Sequence, residues 1–145
     1  VACSRTFKEN FMNRILVVDD DPAIAEMIAE FCEGAGFETR TVTHSPDAFP
    51  TALEWKPDLI TLDLEMPHMD GVEVLRRLQS DPRTAGVPVV VVSVVAKGAL
   101  ERGLLKDARA VFDKPVRLQK LVLRLMQLLT GQRDDKDPTF DPGPR

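Results

Sequence analysis

One pattern recurs along the chain and limits what it can fold into: a short apolar run, rich in Val and Ile, that stops at a polar side chain. Ile15-Leu16-Val17-Val18 stops at Asp19-Asp20, Leu59-Ile60-Thr61-Leu62 at Asp63, and Val89-Val90-Val91-Val92 at Ser93. Ala110-Val111-Phe112 runs into Asp113-Lys114. Continuous β-branched runs of this length suit parallel strands covered on both faces. A weaker run over 37–42 adds a fifth strand. The segments between the runs carry helical spacing, so the order is βα five times over. That order predicts an α/β fold, a five-stranded parallel sheet with helices on both faces. Each polar group then sits at a strand's C-terminal end, and that edge is where open α/β sheets bind ligands.

The connections support the same order. Asp21 before Pro22 is a natural N-cap with Pro at the first helical position. Capping accounts for Asp21 and leaves Asp19 and Asp20 for another task. Ile24, Met27, Ile28 and Phe31 follow at the spacing of a core-facing stripe, and Gly34 and Gly36 end the helix. Ser45-Pro46 opens a second helix by the same cap logic, with Pro50 distorting its start. Trp55 reads as packing. After the strand over 58–63, a loop through Met66-Pro67-His68-Met69-Asp70-Gly71 leads to a helix that buries Val72, Leu75 and Leu78. The helix over 97–106 contains Gly98 and Gly103, each costing about 1 kcal/mol against Ala, so it is expected to be short or mobile. The last helix places Leu118, Leu121, Val122, Leu125, Leu128 and Leu129 on one face. Its other side, with Val116, Leu123 and Met126, is more apolar than a solvated face requires. Residues 1–12 read as an extension without clear periodicity, 13–130 as one domain, and 131–145 as a disordered tail or linker rich in Asp, Pro, Lys and Gly.

The totals narrow the function classes. A net charge of −4 without a basic block argues against direct nucleic-acid binding. No apolar run approaches the length of a membrane span. Cys3 and Cys32 lack metal-ligand spacing, and Cys32 lies on an apolar helix face. A buried free thiol of this kind fits a reducing, cytoplasmic setting. His44 and His68 fall in loops and read as surface residues.

Asp19, Asp20 and Asp63 on neighbouring strand ends would repel one another if left bare. A hard divalent cation relieves that repulsion, and an acidic edge without His or Cys favours Mg²⁺ over Zn²⁺. A carboxylate can also attack phosphorus and form an acyl phosphate. Such a transfer needs positive charge at the phosphoryl oxygens, which Mg²⁺ and the Lys114 ammonium would supply, and the Ser93 hydroxyl can hydrogen-bond one of those oxygens.

Val17-Val18-Asp19-Asp20, Leu62-Asp63-Leu64-Glu65-Met66-Pro67 with Asp70-Gly71, Val92-Ser93 and Lys114-Pro115 occur in the order and approximate spacing of a known family. Over residues 13–130 the chain resembles the receiver domain of two-component response regulators. The resemblance implies the flavodoxin-like (βα)5 fold with strand order 2-1-3-4-5. It implies Asp63 as phosphoacceptor, Asp19 and Asp20 as Mg²⁺ acids, and the Glu65 backbone carbonyl as a further metal ligand. Ser93 becomes the switch hydroxyl, and Lys114 the phosphate-binding lysine before a cis peptide to Pro115. The expected partner is a sensor histidine kinase or histidine phosphotransfer protein. The expected output surface is helix four, strand five and helix five, used by a receiver homodimer or an attached output domain. A receiver is a phosphoacceptor and not an enzyme acting on other molecules.

The sequence departs from the family at two switch positions. Val111 stands where Tyr or Phe is common, three residues before the lysine. Val94 stands at a usually small position after the switch hydroxyl. Two alternatives use the same residues differently: a receiver-like binding module that no longer takes phosphate, and a phosphatase of the haloacid dehalogenase type. The latter wants an Asp two residues after its nucleophile, and here that residue is Glu65.

Overall fold

The structure is a computed structural model, and it describes residues 13–130 and 139–143. The expectations for residues 1–12, 131–138 and 144–145 lie outside the described residues. The elements are β1 (Arg14–Val18), α1 (Pro22–Gly34), β2 (Glu38–Val42), a 3₁₀ turn (Ser45–Asp47), α2 (Ala48–Trp55), β3 (Leu59–Leu62), α3 (Gly71–Ser80), β4 (Val89–Ser93), α4 (Ala96–Glu101), β5 (Ala110–Asp113), α5 (Leu118–Leu129) and β6 (Thr139–Asp141). The strands form one sheet in the order β2-β1-β3-β4-β5-β6, and every pair is parallel. The order expected for the first five strands is present. The sheet has six strands rather than five, because part of the segment read as a disordered tail pairs with β5.

Two cores sandwich the sheet. Leu16, Val18, Ile60, Leu62, Val91 and Val111 pack against α2, α3 and α4, while Ile15, Val17, Leu59, Val90 and Phe112 pack against α1 and α5. Strand alternation assigns successive residues to opposite faces, and both faces are covered, so the runs read as continuously apolar. A fully buried side chain such as Leu121 or Leu125 contributes about 2 kcal/mol.

Several local readings shift. In α1 the buried residues are Ala25, Ile28, Ala29 and Cys32, whereas Met27 and Phe31 are exposed. The small residues let the helix lie close to the sheet, and the large ones flank that contact. Burial pushes the Cys32 thiol up to about 12, which keeps it protonated. The helix after Ser45 begins at Ala48, preceded by the 3₁₀ turn, so Pro50 falls in its first turn, where no intrahelical N–H is lost. Trp55 is buried at the end of α2, with Arg14 and Arg40 over its ring at 5.5 and 5.1 Å, and Arg14 Nη1 donates to its carbonyl at 2.7 Å. Helix α4 has only 6 residues and no side-chain cap, and Gly103 just beyond it takes φ +73°.

Candidate phosphoacceptor and metal site

The C-terminal ends of β1 and β3 are aligned by the ladder, with Val18 paired to Leu62. The backbone continues that pairing one step, since Asp63 N–H donates to Val18 carbonyl at 2.9 Å and Asp19 N–H to Val42 carbonyl at 3.0 Å. Asp19 and Asp63 therefore emerge side by side, and both are buried, at 2% and 4% exposure. Asp20 is half-buried. Carboxylate oxygens of Asp19, Asp20 and Asp63 all lie within 4.8 Å of one another.

Each acid is held by its own loop. Asp19 Oδ1 accepts from Asp21 N–H at 2.9 Å, while the Asp21 side chain caps α1 through Ala23 N–H at 3.0 Å. Asp63 Oδ1 accepts from Glu65 N–H at 3.3 Å. Across the site, Lys114 Nζ reaches Asp19 Oδ2 at 2.7 Å and Asp63 Oδ2 at 3.4 Å. Lys114 stands at the end of β5, where its N–H donates to Ser93 carbonyl at 3.2 Å, and a cis bond joins it to Pro115. Ser93 is fully buried at the end of β4, and its oxygen accepts from Val95 N–H at 3.3 Å.

The electrostatics follow from this packing. Burial raises the Asp63 carboxyl above its ordinary range. Lys114 pulls it down, Asp19 pushes it up, and hydrogen bonds from Ser93 and the Glu65 N–H favour the charged form, but burial prevails. Burial works against the Lys114 ammonium too. There the hydrogen bond to Asp19 and the charges of Asp63 and Asp19 more than offset it, and Lys114 lies above the usual lysine range. The site thus holds three acids against one cation. This donor set of clustered oxygens fits a hard divalent cation such as Mg²⁺.

The loop after Asp63 is fixed by two features. Gly71 N–H donates to Leu64 carbonyl at 2.9 Å, and a Cβ at Gly71 would collide with the Asp63 carbonyl oxygen and Leu64 Cα. Only glycine permits that approach, and Asp70 caps α3 beside it through Val72 N–H at 2.8 Å. The other feature is Ser45. Its hydroxyl does not cap a helix but donates to Pro67 carbonyl at 2.8 Å and accepts from Met69 N–H at 3.0 Å. Sequence reasoning missed this tie, because a Ser-Pro pair carries the same signal for a cap as for a bridge between loops.

The remaining expected residues divide. Glu65 is exposed, and its backbone lies next to Asp63 through the hydrogen bond above. Val94 is 56% exposed, one residue beyond Ser93. Val111 is fully buried on the α4 side of β5, and Phe140 of β6 pairs with it in register. An aromatic ring thus stands beside the position where the family often carries one, supplied by a different strand. His44 and His68 are exposed loop residues, as read, and their rings meet edge to face at 4.9 Å.

Known proteins resemble this chain in sequence and fold. Residues 15–126 match the family model described as the response regulator receiver domain. The chain is 35% identical over 128 residues to the DNA-binding response regulator MtrA of Mycolicibacterium smegmatis, covering 88% of this chain and 55% of that protein. It is 37% identical over 129 residues to the phosphate regulon transcriptional regulatory protein PhoB of Pseudomonas aeruginosa, covering 86% and 56%. The chain spans about half the length of these relatives. Among solved structures, a sensor protein from Polaromonas sp. JS666 superposes with a TM-score of 0.76 at 32% identity, over 81% of this chain and 96% of that one. With the family model spanning most of the sheet and all four strand ends that build the site, this chain belongs to the response regulator receiver domain family.

Proposed function

We propose that the domain accepts a phosphoryl group on Asp63 from a phosphohistidine of a sensor kinase or phosphotransfer protein, in a Mg²⁺-dependent reaction, and signals through its α4-β5-α5 surface. The observation that carries this reading is the placement of Lys114 Nζ 2.7 Å from Asp19 and 3.4 Å from Asp63, opposite three carboxylates that converge within 4.8 Å. Asp19, Asp20, Asp63 and the Glu65 carbonyl would hold Mg²⁺, which supplies positive charge to the phosphoryl oxygens. An Asp63 oxygen attacks phosphorus in line, the P–N bond to the donor imidazole breaks, and the electron pair leaves with that nitrogen. Lys114 pairs with a phosphoryl oxygen, and the Ser93 hydroxyl donates to another. The added charge of about −1.5 to −2 draws Ser93 and Lys114 toward Asp63. Because β4 and β5 carry these residues, α4 and the β5 edge move with them.

The domain is a phosphoacceptor and not an esterase, and it does not itself contact nucleic acid. Any DNA-binding output, as in the MtrA relative, would belong to an attached domain. A cytoplasmic location fits the protonated, buried Cys32 thiol, and no helix among the described residues is long and apolar enough to cross a membrane. The test is intact mass after incubation with a small phosphodonor, with and without Mg²⁺, beside Asp63→Asn. One phosphoryl adduct that needs Mg²⁺ and is absent from the variant is expected. An adduct that persists in Asp63→Asn overturns the assignment, as does turnover of a simple phosphate ester.

A further inference from the structure

The β5 edge is where a receiver sheet ordinarily ends, and an uncovered edge strand is a template for pairing with another chain. Here β6 covers it. Ala110, Val111 and Phe112 pair with Thr139, Phe140 and Asp141 in parallel register. Phe140 is half-buried and packs against the core that contains Val111. Asp141 is anchored twice, by Lys120 Nζ at 3.3 Å and by Gly143 N–H at 2.8 Å. Gly143 takes φ +80°, and a Cβ there would stand 2.6 Å from Pro115 carbonyl and 3.1 Å from Asp113 carbonyl. The segment thus ends pressed against the turn that carries Lys114.

Its topology sets it apart from the rest of the sheet. The steps β3–α3–β4 and β4–α4–β5 advance across the sheet with their helices on one face. The step β5–α5–β6 advances the same way with its helix on the opposite face. Parallel crossovers are right-handed almost without exception, so this last step has the reverse hand. A strand joined that way is an addition to a sheet that is complete without it.

We propose that the β5 edge is an acceptor for one extended segment, and that this chain's own Thr139–Gly143 fills it in cis. Seated there, the segment closes the sheet edge to strand pairing by other chains. Its fit specifies the occupant: an aromatic over Val111, an acid for Lys120, and a glycine against the Pro115 carbonyl. Charge is complementary only for an acidic segment, and backbone room exists only for glycine at the last position.

This inference stands apart from phosphoryl transfer, because its test uses neither Mg²⁺ nor phosphodonor. Hydrogen exchange of the peptide spanning 110–114 is compared in the full chain and in Phe140→Asp and Gly143→Val, with sedimentation mass measured alongside. Both substitutions lie outside the five-strand sheet. Exchange over 110–114 is expected to quicken about tenfold in each variant while β1 and β3 stay protected. A labelled peptide of residues 136–145 is expected to bind both variants at least about tenfold more tightly than the parent chain, whose site is filled. Equal exchange in all three proteins overturns the seating. Failure of the peptide to bind either variant overturns the acceptor site. A parent dimer whose mass halves in the variants puts the segment in trans and overturns cis occupancy.

Discussion

The two halves of the site are built to different tolerances. At β1 and β3 every turn is fixed: Asp21 and Asp70 cap their helices, Gly71 is pressed against the Asp63 backbone, and Ser45 ties the following loop. After β4 the chain is looser. Helix α4 lacks a side-chain cap, Val94 and Val95 are exposed, and Gly98 has open space around it. The contrast teaches a division of labour. Acids whose oxygens converge within 4.8 Å need fixed positions, since their mutual repulsion would spread a compliant loop. In the proposed switch, the region that responds to the new charge moves at low cost, and the missing cap and the exposed Val94 and Val95 favour that freedom.

Four substitutions sharpen or break this contrast. Lys114→Ala removes the cation between two buried acids and should cost about 3 kcal/mol, because buried charges left uncompensated destabilise strongly. Urea melts should show the loss, with part of it restored by Mg²⁺. An unchanged midpoint would mean the acids are hydrated rather than paired.

Gly71→Ala forces backbone apart in the rigid half and should cost about 2 kcal/mol. The same change at Gly98, in the loose half, should do the opposite. If Gly71→Ala melts with the parent, the loop is not rigid and the comparison fails.

Asp63→Asn should stabilise the Mg²⁺-free domain near neutral pH, by less than Gly71→Ala costs. The folded-state carboxyl lies above its ordinary value of 3.8. The folded form therefore favours the proton, and the penalty of ionisation is absent below that value and complete above the raised one. Melting curves of parent and variant should coincide at low pH and separate as pH rises. A gap that instead widens on acidification would refute the sign.

The smallest effect belongs to Gly98→Ala, a gain of about 1 kcal/mol or less in α4, where helix propensity alone decides. Slower amide exchange confined to α4 is the expected signature. Slower exchange throughout the sheet would show that α4 is not independent of the core.

Legibility in the sequence cut across that contrast. Apolar runs ending in Asp19, Asp63, Ser93 and Lys114 marked the sheet and the edge at which these side chains converge, since burial on both faces leaves a plain signal. Asp21-Pro22 and Asp70-Gly71 marked helix starts by local chemistry. What escaped depended on distance along the chain. Ser45 bonds to Pro67, 22 residues away, and nothing near Ser45 announces it. Strand β6 escaped for the same reason: Thr139-Phe140-Asp141 is too short for its alternation to register, and only the waiting edge of β5 makes it a strand. In α1 the error was one of size, because helical spacing cannot say whether Ala25 and Ala29 or Met27 and Phe31 lie nearest the sheet.

The position of Trp55 decides how such experiments are read out. It is the chain's single tryptophan, and the protein has no tyrosine. Its indole is buried beside Arg14, the first residue of β1, at the end of the sheet opposite Asp19 and Asp63. Ultraviolet emission excited selectively at the indole band therefore comes from one fluorophore that follows the unfolding of the domain and is remote from events at the acids. Unfolding can be followed by that light with Mg²⁺ or a phosphoryl mimic present, free of a local quenching signal, whereas occupancy of the site has to be followed by mass, exchange or calorimetry.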